Sequence, residues 1–100
     1  MPRKVSLTVN KNPIKLDAFV ESYVYHVTGG IVASLKDTGA VKTLALNVED
    51  TGDIKMVLNG RDIPLNFFAT EIVRNTLGGM VSGLKGVEGK LKTLTLNIEQ

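Results

Sequence analysis

The sequence predicts an α+β fold, a two-layer sandwich in which two helices pack on one face of a single, largely antiparallel sheet. Three observations predict it: the chain repeats itself, each repeat has the pattern strand, short strand, helix, strand, and each main strand has one apolar and one largely polar face. A sheet with one polar face is covered by helices on the other face only. We therefore expect two tandem ββαβ repeats related by a pseudo-twofold axis, with a ferredoxin-like topology as the alternative.

Length and composition predict a single globular domain. The chain has 100 residues, of which 43% are hydrophobic and 22% are charged, and this is the balance of a soluble domain. Cysteine is absent, which excludes disulfides, thiolate metal sites and thiol nucleophiles. No apolar run approaches the ~20 residues that cross a membrane, and no secretion signal follows Met1, so we expect a cytoplasmic protein without a membrane partner.

The repeat becomes visible when the chain is shifted by 49 residues, which lays residues 5–36 on residues 54–85. The pairs that are identical under this shift are Asn10/Asn59, Ile14/Ile63, Leu16/Leu65, Phe19/Phe68, Val24/Val73, Gly29/Gly78, Gly30/Gly79, Val32/Val81, Leu35/Leu84 and Lys36/Lys85. After one extra residue near Gly86, residues 42–49 match residues 92–99 at six of eight positions. We infer an internal duplication within one domain of residues 1–100, with repeat 1 at about 5–49, repeat 2 at about 54–99 and the joint at 50–53.

Each repeat opens with an alternating strand and a tight turn. Residues 54–58 alternate along the strand, and Asn59-Gly60 is a strong hairpin signal. Residues 63–65 then form a short return strand, which we expect at a sheet edge because Pro64 has no N–H to donate. The first repeat has the same pattern, with its turn at residues 10–13 and its return strand at 14–16.

A helix follows in each repeat. Asp17 and Asn66 are good N-cap residues, so the helices are expected to begin at Ala18 and Phe67 and to run to about Lys36 and Lys85. On a helical wheel, apolar and small residues fill an arc of about 160°. We expect this arc to face the sheet: Phe19, Val20, Tyr23, Val24, Val27, Gly30, Ile31, Ser34 and Leu35 in the first helix, and Phe68, Ala69, Ile72, Val73, Thr76, Gly79, Met80, Gly83 and Leu84 in the second.

The closing strands alternate strictly. Leu44, Leu46 and Val48 point to one face in repeat 1. The second repeat has Leu94, Leu96 and Ile98 at the matching positions, with threonine, asparagine and glutamate between them. These strands therefore have one buried face.

The glycine pairs Gly29-Gly30 and Gly78-Gly79 need an explanation, because a glycine inside a helix costs about 1 kcal/mol relative to alanine. Our preferred interpretation is close packing along a groove of small residues, and the alternative is a helix that is broken or kinked at the glycines. A phosphate-binding loop is disfavoured because neither of the common glycine-rich phosphate motifs is present.

No constellation of catalytic or metal-binding residues stands out. His26 is the single histidine, and no motif joins it to a hydroxyl and a carboxylate. Glu49, Asp50 and Asp53 are too few oxygen ligands for a calcium loop. We therefore expect no catalytic residue, no cofactor, no metal and no enzymatic activity.

The function that remains is self-association. Val32 and Val81 fall outside the arc expected to be buried, so we expect an apolar, small-residue surface on the helices that makes the chain a homo-oligomeric interaction or structural module. Its candidate residues are Tyr25, Gly29, Val32, Ala33, Leu77, Gly78, Val81 and Ser82.

Two other functions stay open. One is weak, sequence-independent nucleic-acid binding, because several lysines flank the loops between helix and last strand and could gather into a basic patch: Lys36, Lys42, Lys85, Lys90 and Lys92. The other is a small-ligand carrier with a pocket between helices and sheet, lined by the glycines.

Overall fold

The structure is a computed structural model that describes residues 3–35, 41–84, 86–87 and 89–100. Its elements in chain order are β1 (Lys4–Val9), β2 (Asn12–Ile14), α1 (Ala18–Ala33), β3 (Thr43–Val48), β4 (Ile54–Leu58), β5 (Arg61–Asp62), α2 (Phe67–Ser82) and β6 (Leu94–Glu99). One antiparallel sheet of six strands carries two helices, so the α+β class is confirmed. Within the described ranges, neither helix is long and apolar enough to cross a membrane.

The strands lie in the order β2-β1-β6-β3-β4-β5, and every neighbouring pair is antiparallel. β3 and β6 form the central pair of strands in the sheet, with Leu46 opposite Leu96. The ferredoxin-like alternative, in which both return segments are loops, is wrong because β2 and β5 both pair with the sheet.

The return strands begin earlier than we expected. Asn10 and Lys11 have φ of 50° and 70°, and Asn59 and Gly60 have φ of 52° and 82°. Two left-handed residues make a two-residue hairpin turn whose twist matches that of the strands. Strand pairing therefore resumes directly after each turn, and the predicted return strand at residues 63–65 lies beyond β5. β2 and β5 lie at the two edges of the sheet, but residues 63–65, for which the sequence predicts the edge position, are not part of a strand.

The two helices start where their caps predict. The side chain of Asp17 accepts the N–H of Val20 at 2.8 Å, and that of Asn66 accepts the N–H of Ala69 at 2.7 Å. Both helices end earlier than expected, at Ala33 and Ser82, and the predicted ends Lys36 and Lys85 lie outside the described residues. Each helix is continuous through its glycine pair, so a break there is excluded.

The core lies between the helices and one face of the sheet. Alternate residues of the main strands are buried, as their pattern predicts, and they form one cluster with residues of both helices. The strand members of this cluster are Leu7, Val9, Leu44, Leu46, Val48, Met56, Leu58, Leu94, Leu96 and Ile98.

The helix faces are rotated relative to the prediction. The stripe that faces the core is Val24, Thr28 and Val32 in α1. In α2 it is Val73, Leu77, Met80 and Val81. Phe19 and Phe68, which the predicted arc placed in the core, are 78% and 71% exposed. The predicted arc is wide, whereas a helix that lies on a sheet buries only a narrow stripe of side chains. Because both sides of each helix carry apolar residues, periodicity alone does not select the side that is buried.

Two asparagines join the hairpins to the central strands. Asn10 Oδ1 accepts the N–H groups of Lys92 and Thr93 at 2.7 and 3.0 Å. Asn59 Oδ1 accepts those of Lys42 and Thr43 at 2.8 and 3.0 Å. Each hairpin turn is thereby attached to the start of a central strand from the other half of the chain.

Candidate functional site

The outer surface of the two helices is apolar. We call this the outer helix surface and define it by the large hydrophobic residues that are exposed: Phe19 (78%), Tyr23 (38%), Phe67 (82%), Phe68 (71%) and Ile72 (48%). All of them lie in the first half of α1 or α2. Large apolar patches on a soluble protein are typical of interaction surfaces.

An open groove of about 450 Å³ separates the two helices. We call it the inter-helix groove, and its lining is Val27, Gly30, Ile31, Ser34 and Leu35 of α1 with Phe68, Ala69, Ile72, Val73 and Thr76 of α2. The second half of α1 thus faces the first half of α2, so the helices run antiparallel. The groove lies between the helices and opens outward. A separate cavity of about 290 Å³ lies between α1 and the sheet, where the sequence predicts a ligand pocket, and its lining includes Gly29, Gly30, Leu44 and Ile98.

The helix glycines border open space. A Cβ atom added at Gly29, Gly30 or Gly79 would meet nothing within 4 Å, and one added at Gly78 would meet only Leu91 Cδ2 at 4.0 Å. The prediction that these glycines permit close packing within the chain is therefore wrong. These glycines lower helix stability, and no close contact within the molecule requires them.

The helices carry few charges. The charged residues of α1 and α2 are Glu21, Glu71 and Arg74. Glu71 pairs with Arg74 at 2.7 Å, and Glu21 pairs at 2.9 Å with Arg3, whose guanidinium lies 4.2 Å from the Tyr25 ring centroid. The outer helix surface is therefore close to neutral and offers an ionic partner little to bind.

The residues predicted for self-association do not form one surface. Val32, Leu77 and Val81 are at most 1% exposed and lie in the core, so their predicted outward position is wrong. They are the apolar residues of the sheet-facing stripe. The other members are scattered at the flanks of the helices: Tyr25, Gly29 and Gly78 are half-buried, and Ala33 and Ser82 are exposed.

The predicted basic patch is divided. Lys36 and Lys85 lie outside the described residues. Lys42 lies beside Gln100 at one end of the sheet, whereas Lys90 and Lys92 lie beside Asn10 at the other end. The reason is the antiparallel pairing of β3 and β6, which sends the segments preceding these two strands to opposite ends.

His26 is exposed, and its Nδ1 lies 2.7 Å from the carbonyl oxygen of Ser22 and 3.3 Å from Ser22 Oγ. A ring nitrogen that close to a carbonyl oxygen carries a hydrogen and donates it. Nδ1 therefore has no lone pair to take the hydroxyl proton, and this pair is not arranged as a nucleophile and its base.

Sequence reasoning missed the exposed aromatic residues because it assigned them to the core. The spacing of apolar residues does not separate the two flanks of a helix. Val24, Thr28 and Val32 follow one another at intervals of four, but so do the apolar residues at positions 19, 23, 27 and 31. Phe19 lies on the opposite side of the wheel from the buried Thr28.

Comparison with protein-family models, with curated proteins and with solved structures finds no match to this chain.

Proposed function

We propose that this chain is a non-enzymatic module that self-associates through the outer helix surface. The observation that carries the proposal is the exposure of three phenylalanine rings on the two helices, at Phe19, Phe67 and Phe68. Burial of such a side chain contributes roughly 1.5–3 kcal/mol. Several of them in each copy offset the ~4–15 kcal/mol that association costs, so we expect dissociation in the micromolar range.

The dimensions of the molecule support a second copy of the chain as the partner that covers the outer helix surface. The chain is a plate of 34 × 34 × 18 Å. One broad face therefore has an area on the order of 1,000 Å², and a standard interface needs about 800 Å² from each partner. A neutral surface also favours an equally neutral partner, and a second copy of the same surface meets this condition.

We further propose that the two halves of the chain are copies of one ββαβ unit related by a pseudo-twofold axis. Support comes from the order of elements, from the matching caps Asp17 and Asn66, and from the reciprocal contacts of Asn10 and Asn59. An experimental structure tests this: residues 5–35 should superpose on residues 54–84, and unlike backbones would contradict it.

Sedimentation velocity tests self-association. We expect the wild type to change from monomer to dimer between roughly 1 and 100 µM, and Phe19→Ser combined with Phe68→Ser to weaken the dimer by at least about 100-fold. Both rings are exposed, so helix content by circular dichroism should not change. A wild type that stays monomeric, or a double variant that dimerises as before, would overturn the proposal.

The matched control is Val57→Ser. Val57 lies on β4 between the buried Met56 and Leu58, so its side chain is on the open face of the sheet. We expect this variant to dimerise like the wild type. Loss of the dimer in this control would move the interface to the sheet.

A further inference from the structure

We infer that the inter-helix groove is a socket for the phenyl ring of Phe19 from a second copy of the chain. This inference rests on the proposed self-association and assigns the contact at its centre. The socket and the ring belong to the same surface, so each copy offers both.

The groove has room for an aromatic ring. Its volume is about 450 Å³, and Val27, Ile31 and Ile72 give it apolar walls. A closed apolar cavity of about 150 Å³ already holds a benzene molecule. The volume of the groove is therefore sufficient for a phenyl ring.

Gly30 keeps the socket open. It lines the groove, it is exposed, and a Cβ atom there would meet nothing within 4 Å. A larger side chain at this position would project into the groove. The glycine lowers helix stability by about 1 kcal/mol relative to alanine, and occupation of the groove by a partner supplies the missing reason for it.

Phe19 of the same chain lies too far from the groove to occupy it. Phe19 is 78% exposed and does not line the groove. It precedes Gly30 by eleven positions on the same helix, which is roughly 17 Å along the axis. Phe19 therefore cannot reach the groove of its own chain.

A twofold axis brings Phe19 of one copy to the inter-helix groove of the other copy. The helices are antiparallel, with the groove at one end of the helix layer and Phe19 at the other. An axis that lies in the interface plane and runs across both helices exchanges these ends. It places the second copy's Phe19 over the groove and repeats the contact symmetrically, which closes the assembly as a dimer.

The experiment is a double-mutant cycle on the dissociation constant with Gly30→Leu and Phe19→Ala. Gly30→Leu fills the socket and Phe19→Ala removes the phenyl ring. We therefore expect each substitution to weaken the dimer by about 30-fold. Because the two changes remove the same contact, the double variant should be weakened about as much as either single one. If the two effects multiply, the residues do not touch and the inference is wrong.

Gly29→Leu is the matched control. Gly29 precedes Gly30, does not line the groove, and has equally open space around its Cβ position. Both leucines should raise helix stability, so only a loss of dimer specific to Gly30→Leu supports the socket. Equal effects of the two leucines would overturn it.

The outcomes separate this inference from the proposed function. A wild type that is monomeric at all concentrations contradicts both. A wild-type dimer that is lost with Phe19→Ser and Phe68→Ser but withstands Gly30→Leu contradicts the socket alone. A monomeric wild type whose melting temperature rises with toluene would assign the groove to a small apolar ligand and would also overturn the inference.

Discussion

Thr28 places a hydroxyl group in the core of the molecule. Its side chain has no exposed surface, and Oγ1 has no hydrogen-bond partner among the described residues. Leaving a buried polar group unpaired costs about 1–3 kcal/mol. The corresponding residue of α2 is the buried Leu77, so the second helix carries no such cost.

We predict that Thr28→Val stabilises the protein by about 1 kcal/mol, because it replaces the unpaired hydroxyl with a methyl group of the same size. Urea denaturation monitored by circular dichroism measures the change. Thr43→Val is the control, since Thr43 is exposed in β3, and its effect should stay within about 0.5 kcal/mol. A loss of stability in Thr28→Val would mean that the hydroxyl is paired.

Asn10 combines a left-handed backbone with a side chain that accepts two backbone N–H groups. Asn10→Ala should destabilise the protein by about 2–3 kcal/mol, because both N–H groups lose their acceptor and alanine disfavours positive φ. Asn10→Asp places a carboxylate oxygen where Oδ1 accepts the two N–H groups but loses the Nδ2 donor to the Lys90 carbonyl, so it should retain part of the stability that Asn10→Ala loses. Equal losses in the two variants would show that the side-chain contact contributes nothing.

At the scale of whole elements, those features that have a local signal could be predicted. The alternation of Leu44, Leu46 and Val48 determines which face of β3 is buried, and Asp17 determines where α1 begins, because each depends on nearby residues alone. The orientation of α1 depends on which flank meets the sheet. Phe19 and Val32 are both apolar, so the sequence within the helix does not choose between them.

The candidate site was predictable only in part. Self-association is predicted from an outward position of Val32 and Val81 beside the glycine pairs. Both valines lie in the core, whereas the glycines do border open space. The aromatic residues of the outer helix surface were missed because they were placed in the core. The division of Lys42 from Lys92 follows from the pairing of β3 with β6, which no local pattern contains.

Replacement of glycine by alanine should have opposite effects on stability in a helix and in a turn. Gly29→Ala should stabilise the protein by about 1 kcal/mol, because the helix gains propensity and the added Cβ meets nothing. Gly60→Ala should destabilise it by about 1 kcal/mol, because Gly60 has φ of 82° in a turn. Thermal unfolding of both variants at a concentration that keeps the wild type monomeric measures the difference. Destabilisation by Gly29→Ala would restore the close-packing interpretation.

At the scale of the whole molecule, a near-neutral interface predicts a weak dependence on salt. The dissociation constant of the dimer should change less than about threefold between roughly 50 and 500 mM NaCl, because apolar contacts are not screened. Sedimentation at the two salt concentrations checks this. Binding of nucleic acid through the lysines would instead weaken steeply with salt, and a dimer that dissociates with added NaCl would place charged loops in the interface.

The position of β6 has a consequence for how the chain is synthesised. β6 comes after every other strand in the sequence, yet it lies between β1 and β3, which have no contact with each other along their edges. Until residues 94–99 have been synthesised, β1 and β3 lack the strand that joins them, so the first two strands and β3–β5 cannot belong to one sheet. The sheet can become continuous only once this final strand has been released from the exit tunnel, so folding must finish after translation has passed β6.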